Sequence, residues 1–476
     1  MASTESSTRV IESHHLDYVP EHERHGKVWR QGPFWFLGNF QPFTVSIAFL
    51  GPVVGLNGLW TSVAGITGIL FGTLFMAAHA AQGPKLGLPQ MIQSRAQFGY
   101  RGVILPVLAT TFTFVAFNVV DVVIIKQGLN NIFGWNATSV AVLISLVAAV
   151  LAIYGHDWIH KVFITLFWVS LPFWIIMTLG IFTGHAGGHG HLSGGFNAAG
   201  FFATFAVAAS YNITYAPYVS DYSRYLPKST SRGGIISAVF LGAAGSPMWL
   251  IPVGAWMATR LGVGDALTGM YQAGNSTIAH TGTILAIVAV LALVATMGIN
   301  AYSGMLSVVT IIDSVHPVKS GSQVRVTTIL SLTVIWFALG ILLTNATSAL
   351  NNSLIIMLYL LAPWTSVNLI DFYAVRHGKF AITDFFNPSG IYGRWGARGL
   401  ISYVVAILVE IPFMFIPGVY QSPGATWLQL VDISWILGLF VAGGLYFVLT
   451  RGIDRTAEVA AIAASEQALA ADPALR

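Results

Sequence analysis

The sequence predicts an all-α, polytopic membrane protein with about 12 transmembrane helices, and three observations carry that prediction. The first is composition: 55% of the 476 residues are hydrophobic and only 8% are charged, whereas a soluble domain carries about 25% charged residues to cover its surface. The second is length. Twelve apolar stretches come close to the roughly 20 residues that cross a bilayer: 34–55, 60–82, 103–129, 138–154, 162–183, 200–219, 234–258, 283–312, 324–344, 351–373, 400–417 and 433–450. The third is where the basic residues fall. With twelve spans, 20 of the 22 Lys and Arg share one side. They run from Arg9, Arg24, Lys27 and Arg30 before the first span, through Lys319 and Arg325 after the eighth, to Arg451, Arg455 and Arg476 at the end. Only Lys126 and Arg260 fall elsewhere. Positively charged loops stay cytoplasmic, so both termini are expected inside a multi-pass protein of the cell inner (plasma) membrane.

The same sorting disposes of a nucleic-acid partner. The formal charge of +4 and pI near 9.2 record topology rather than a basic patch. The expected partners are the lipid bilayer and a small molecule, with the chain a monomer. There is no cysteine, which removes disulfides and thiolate chemistry. The first thirty residues are polar, without the apolar run of a cleavable signal, and are read as a silent cytoplasmic tail. The expected organisation is a tail over 1–30, a ten-helix core over 31–375, two further helices over 376–450, and a C-terminal tail over 451–476.

Span 1 reads FWFLGNFQPFTVSIAFLGP, with Asn39, Gln41 and Pro42 in its middle. Proline removes a donor and clashes with the preceding turn, and lipid cannot satisfy the freed groups, so they must line protein or a cavity. Span 6 repeats the pattern in SYNITYAPYVSDYSRYLP, with Tyr211, Asn212, Thr214 and Pro217. Paired interrupted helices in two halves of a chain point to a midplane binding site. Their separation by five spans suggests an inverted repeat of spans 1–5 and 6–10. An ordinary proline kink is the plainer alternative.

Two spans carry acids well inside their apolar runs. Asp121 sits inside TFTFVAFNVVDVVIIKQ of span 3, and Glu410 inside SYVVAILVEIPFMF of span 11. A charge at the bilayer centre costs about 2.5–3.5 kcal/mol or more, so such groups face an interior and work there. The structural alternative pairs Asp121 with Lys126, and makes Glu410 an interfacial or protonated structural acid. Span 8 contains ATMGINAYSG, where Asn300 offers an amide and Gly298 and Gly304 allow close packing. There is no G-x-S-x-G, Walker A, G-x-G-x-x-G or H-E-x-x-H signature, so no enzyme and no cofactor is expected. His185, His189 and His191 lie in a Gly-rich loop without an acidic companion, and read as an exposed loop rather than a metal site.

Three stretches make the chain resemble the nucleobase–cation symporter-1 family, in its purine–cytosine permease-like branch. They are GPKLGLPQMIQSRAQFGYRG (83–102), YAPYVSDYSRYLP (215–227) and APWTSVNLIDFYAVRHGKF (362–380). The resemblance implies a LeuT-like 5+5 inverted repeat plus two C-terminal helices. It implies a symporter that sandwiches a heterocycle such as cytosine, a purine or allantoin between aromatics of spans 3 and 6. Carried onto this chain, it puts Gln41, Phe117, Asp121, Asn300 and Gly304 at the substrate. The span 6 aromatic falls on Asn212 with Tyr211 beside it, and Tyr211 is favoured. The cation-coupling set implied is Leu37, Phe40, Ala295, Gly298 and Asp121. Sodium-coupled relatives place two hydroxyls where this chain has Gly298 and Ile299. Hard cations need oxygen ligands, so the expected coupling ion is H+ rather than Na+, with Asp121 its carrier. The alternative is a sodium-coupled or passive facilitator of a vitamin-like ring such as thiamine or pyridoxine.

Overall fold

A computed structural model describes residues 16–471 except 155, 189, 191–193, 317, 319–320 and 454. Arg9, Lys319, Arg476, His189 and His191 lie outside the described residues. The apolar stretches become helices because only intra-segment hydrogen bonds satisfy a backbone that water cannot reach. In chain order they are α1 (Gln31–Asn39), α2 (Pro42–Ile47), α3 (Gly58–Ala80), α4 (Ile104–Phe133), α5 (Ala137–Tyr154), α6 (His156–Thr183), α7 (Ala198–Ile213) and α8 (Ala216–Ser223). Then follow α9 (Arg232–Trp256), α10 (Ala266–Thr277), α11 (Thr281–Val315), α12 (Ser322–Leu342), α13 (Ala346–Leu369), α14 (Ala397–Glu410), α15 (Ser434–Thr450) and α16 (Thr456–Ala471). Among the described residues, 8 helices are long and apolar enough to cross a membrane unaided.

The two interrupted spans are interrupted in fact. α1 stops at Asn39, Gln41 is fully extended (φ −158°, ψ 164°), and Pro42 opens α2. α7 stops at Ile213 and α8 restarts at Ala216 with Pro217 in its first turn, where a missing N–H costs nothing. Large apolar side chains point outward along the long helices, among them Phe182 at 82% exposed and Phe440 at 72%. A soluble surface does not carry such a belt.

Three features depart from the expected layout. Span 11 ends early: α14 stops at Glu410, and a tight hairpin pairs Phe415–Ile416 with Tyr420–Gln421. One 3-10 turn, Ile411–Phe413, follows α14, and Pro417 and the left-handed Gly418 (φ 73°) then turn the chain back. α10 is an additional helix between spans 7 and 8, capped by Asp265, whose side chain accepts from the Thr268 N–H. Residues 16–30 do not behave as a silent tail. Leu16 and Val19 are buried, and Arg24 donates to the Val19 and Pro84 carbonyls at 2.7 and 2.9 Å.

Candidate functional site

The break between α1 and α2 faces the break between α7 and α8, and side chains tie them together. Gln41 Nε2 donates to the Gly38 carbonyl (2.9 Å) and to the Tyr211 hydroxyl (3.1 Å), while its Oε1 accepts from Thr296 of α11 (2.7 Å). Thr44 donates to the freed Asn39 carbonyl at 2.6 Å. A hydroxyl has one hydrogen, so the 3.2 Å contact between Thr44 and Tyr211 has Tyr211 donating. Asn212 belongs to a separate polar knot. It accepts from Asn39 Nδ2 at 2.9 Å and donates to Thr73 of α3 at 2.6 Å.

Next to the Gln41 tie stands a cage of rings. Phe117 of α4 stacks on Tyr215, with centroids 5.6 Å apart and planes 23° apart. Tyr211 lies against Phe43 instead (5.1 Å, 12°) and meets Phe117 edge-on (6.2 Å, 75°). Tyr218 closes the cage, touching Tyr215 at 5.0 Å and Phe114 at 4.9 Å. The aromatic of span 6 that parallels Phe117 is therefore Tyr215, one turn beyond the two candidates read from the sequence. The i, i+3 pair Tyr215 and Tyr218 after the break was the available signal. Asn118 was also missed. It accepts from Asn300 Nδ2 (3.0 Å) and donates to the Met297 carbonyl (3.2 Å), bridging α4 and α11.

Several polar atoms in this region are buried without a hydrogen-bond partner among the described residues: Asp121 Oδ1, Asn300 Oδ1 and the Tyr218 hydroxyl. Asp121 is 1% exposed and makes no ion pair with Lys126. Lys126 Nζ instead donates to the Gly340 and Ile341 carbonyls at 2.7 and 2.9 Å, at the C-terminal turn of α12, where a cation is favoured. Buried polar groups are almost always paired, so an unpaired set beside a ring cage has capacity for a ligand's donors and acceptors, or for a proton on the carboxyl. A Cβ on Gly304 would lie 3.3 Å from both Phe114 and Leu332, so this position is a tight packing contact.

The expected cation positions look different. The Leu37 carbonyl already accepts from the Phe40 N–H at 3.1 Å. A Cβ on Gly298 would lie 3.2 Å from Leu151 of α5, so that position is a helix contact, and Ala295 and Ile299 add no side-chain oxygen. A cavity of about 10 Å³ beside Leu37 and Phe40 is lined by Phe163, Phe167, Ala292 and Ser170. Its only side-chain hydroxyl, Ser170, donates to the Phe167 carbonyl at 3.2 Å. A larger cavity of about 470 Å³ opens near Asn57, Ser62, Trp256 and Arg260. It holds none of the ring cage and none of the unpaired buried groups.

Over residues 18–438 the sequence matches the family described as permease for cytosine/purines, uracil, thiamine, allantoin. The chain belongs to that family. It is 34% identical over 442 residues to the putative purine-cytosine permease YxlA of Bacillus subtilis, covering 93% of this chain and 96% of that one. A 95-residue segment, 19% of this chain and 18% of the other, is 26% identical to the allantoin permease of the same organism. Its fold is that of Mhp1, a nucleobase-cation-symport-1 family transporter solved in a closed conformation with bromovinylhydantoin bound. The TM-score is 0.74 at 17% identity, covering 96% of this chain and 100% of that one. Membership makes this chain a multi-pass membrane transporter of the nucleobase permease class and not an enzyme. The three resembling stretches at 83–102, 215–227 and 362–380 all fall inside the matched region.

Proposed function

We propose that this permease is a secondary active importer of a nucleobase or closely related nitrogen heterocycle, driven by H+. It would act as a monomer in the plasma membrane, with both termini cytoplasmic. The observation that carries the reading is the ring cage with unpaired groups beside it: Phe117 stacked on Tyr215, near the unpaired Asp121 Oδ1 and Asn300 Oδ1. A planar ring needs aromatic faces above and below and donors and acceptors at its edge. Phe117 and Tyr215, which here touch each other, part to supply the faces in this reading, and Asp121 and Asn300 supply the edge. Gln41 holds Tyr211 and acts on the slot through it. The shortage of side-chain oxygens around Leu37, Phe40, Ala295 and Gly298 argues for H+ over Na+.

Binding of a radiolabelled panel of cytosine, purines, uracil, allantoin and thiamine to purified protein tests the substrate class. An aromatic stack contributes roughly 0.5–1.5 kcal/mol, so Phe117→Ala and Tyr215→Ala should each weaken the bound ring about two- to tenfold. Full affinity in both variants would place the site elsewhere.

A further inference from the structure

The stretch 82–98 and the segment from Asn368 to Asp371, at and just past the end of α13, hold a buried polar array that the substrate site does not use. Gln90 Nε2 donates to Gln82 Oε1 (2.8 Å), and Gln82 Nε2 donates to Asn368 Oδ1 (2.7 Å). Asn368 Nδ2 donates to Gln97 Oε1 (3.5 Å, the longest link), and Gln97 Nε2 donates to Asp371 Oδ2 (2.5 Å). Every amide therefore donates in the same direction. The cause is Asp371, whose carboxylate is paired with Arg376 and only accepts. Gln97 must turn its NH2 toward it, which turns the Gln97 carbonyl toward Asn368, and so on back to Gln90. Bonds aligned head to tail polarise and strengthen one another.

Each end of this chain is tied to a part that has a reason to move. At one end the Gln90 backbone N–H donates to Asp221 Oδ1 at 3.0 Å, three residues after Tyr218 of the ring cage. Ser220 and Ser223 of α8 donate to the His79 and Ala80 carbonyls at 3.1 and 2.9 Å. At Gly83 a Cβ would meet Ser223 Oγ at 2.0 Å, so the loop lies hard against α8. At the other end Asp371 Oδ1 accepts from Tyr446 (2.8 Å) and from Arg376. Arg376 Nε in turn donates to Glu458 of the C-terminal helix α16 at 2.5 Å.

We propose that this directed amide chain is the latch of the gate at the tail-bearing end of the bundle. Asp371 is its positioning residue, and Glu458 sets its strength through Arg376. Opening toward that end must separate the 82–98 loop from α8, and α8 carries Tyr218 and begins directly after Tyr215. The latch rests on the chain being a transporter and not on which ring or ion it carries.

The cysteine-free sequence makes single-thiol labelling clean. Ala96→Cys, on the buried face of the latch loop, reports opening. Ala273→Cys, buried in α10 at the far end of α11, reports general loosening. Both are labelled in full-length protein with a polar maleimide and no substrate. Losing a charged hydrogen-bond acceptor is worth about tenfold or more in the opening equilibrium. Asp371→Asn should speed labelling at Ala96→Cys by that factor and leave Ala273→Cys unchanged, with Glu458→Gln giving a smaller rise. Combining Asp371→Asn with Gln97→Glu puts an acceptor-only group back in the chain, one step along. That pair should return labelling to near the parent rate. Unchanged labelling in monodisperse Asp371→Asn overturns the latch. So does an equal rise at both reporters, or failure of the paired change to restore the parent rate. Because no substrate is present, none of these results bears on the heterocycle or on H+ coupling.

Discussion

At the residue scale, Asp121 and Lys126 separate cleanly. The two lie five positions apart, and the sequence left open that they neutralise each other. The structure spends Lys126 on two carbonyls at the end of α12 and leaves Asp121 Oδ1 unpaired. Lys126→Met should therefore cost stability, by about 1–3 kcal/mol for the lost charged hydrogen bonds, and should leave driven uptake per folded molecule intact. A thermal melt alongside uptake checks this. If Lys126→Met abolishes uptake as thoroughly as Asp121→Asn, the two act as a pair after all. The sequence singled out residues that the fold buries close together: a glutamine at a helix break, an aromatic in span 3, an acid and an asparagine in span 8. It did not show that Tyr215 rather than Tyr211 parallels Phe117. A break resets the helical phase, so spacing counted through it no longer says which face a side chain takes. Nor did it show Asn118 holding Asn300, because one amide in an apolar run looks the same whether it binds ligand or carbonyl.

At the element scale, the two broken helices were legible because proline and clustered amides mark them directly. The partner that holds them was less so. α3 packs against α7 through Gly68 and Gly72, where a Cβ would sit 2.3 Å from the Phe205 carbonyl and 2.1 Å from the Ala209 carbonyl. That close approach lets Thr73 reach Asn212. Backbone cannot yield as a side chain can, so Gly72→Val should destabilise the fold by about 1–3 kcal/mol or more. Gly444→Ala, at a position with nothing within 4 Å, should leave stability near that of the parent. Fluorescence-detected size exclusion after heating compares them. An unaltered Gly72→Val profile would mean that α3 and α7 are not held this closely. The hairpin after α14 and the extra helix α10 were missed for a common reason. Hydropathy counts apolar residues, and both features turn on one or two polar or turn-forming positions.

At the scale of the whole molecule, composition alone was enough for class, since 8% charged residues cannot coat a water-soluble chain of this length. The tails were not legible. Their docking on the 82–98 loop and on Arg376 depends on contacts across most of the sequence, which no local pattern encodes. We propose that one carboxyl, Asp121, couples a proton to the passage of a planar heterocycle. Asp121→Asn keeps the side chain's shape and removes the titrating group. The most direct test is concentrative uptake of the bound heterocycle into proteoliposomes, under a pH gradient or a sodium gradient, for the parent and for Asp121→Asn. The parent should accumulate substrate with the pH gradient alone, and Asp121→Asn should lose this accumulation while still exchanging substrate. Sodium-driven uptake indifferent to pH, or full proton-driven accumulation by Asp121→Asn, would contradict the proposal.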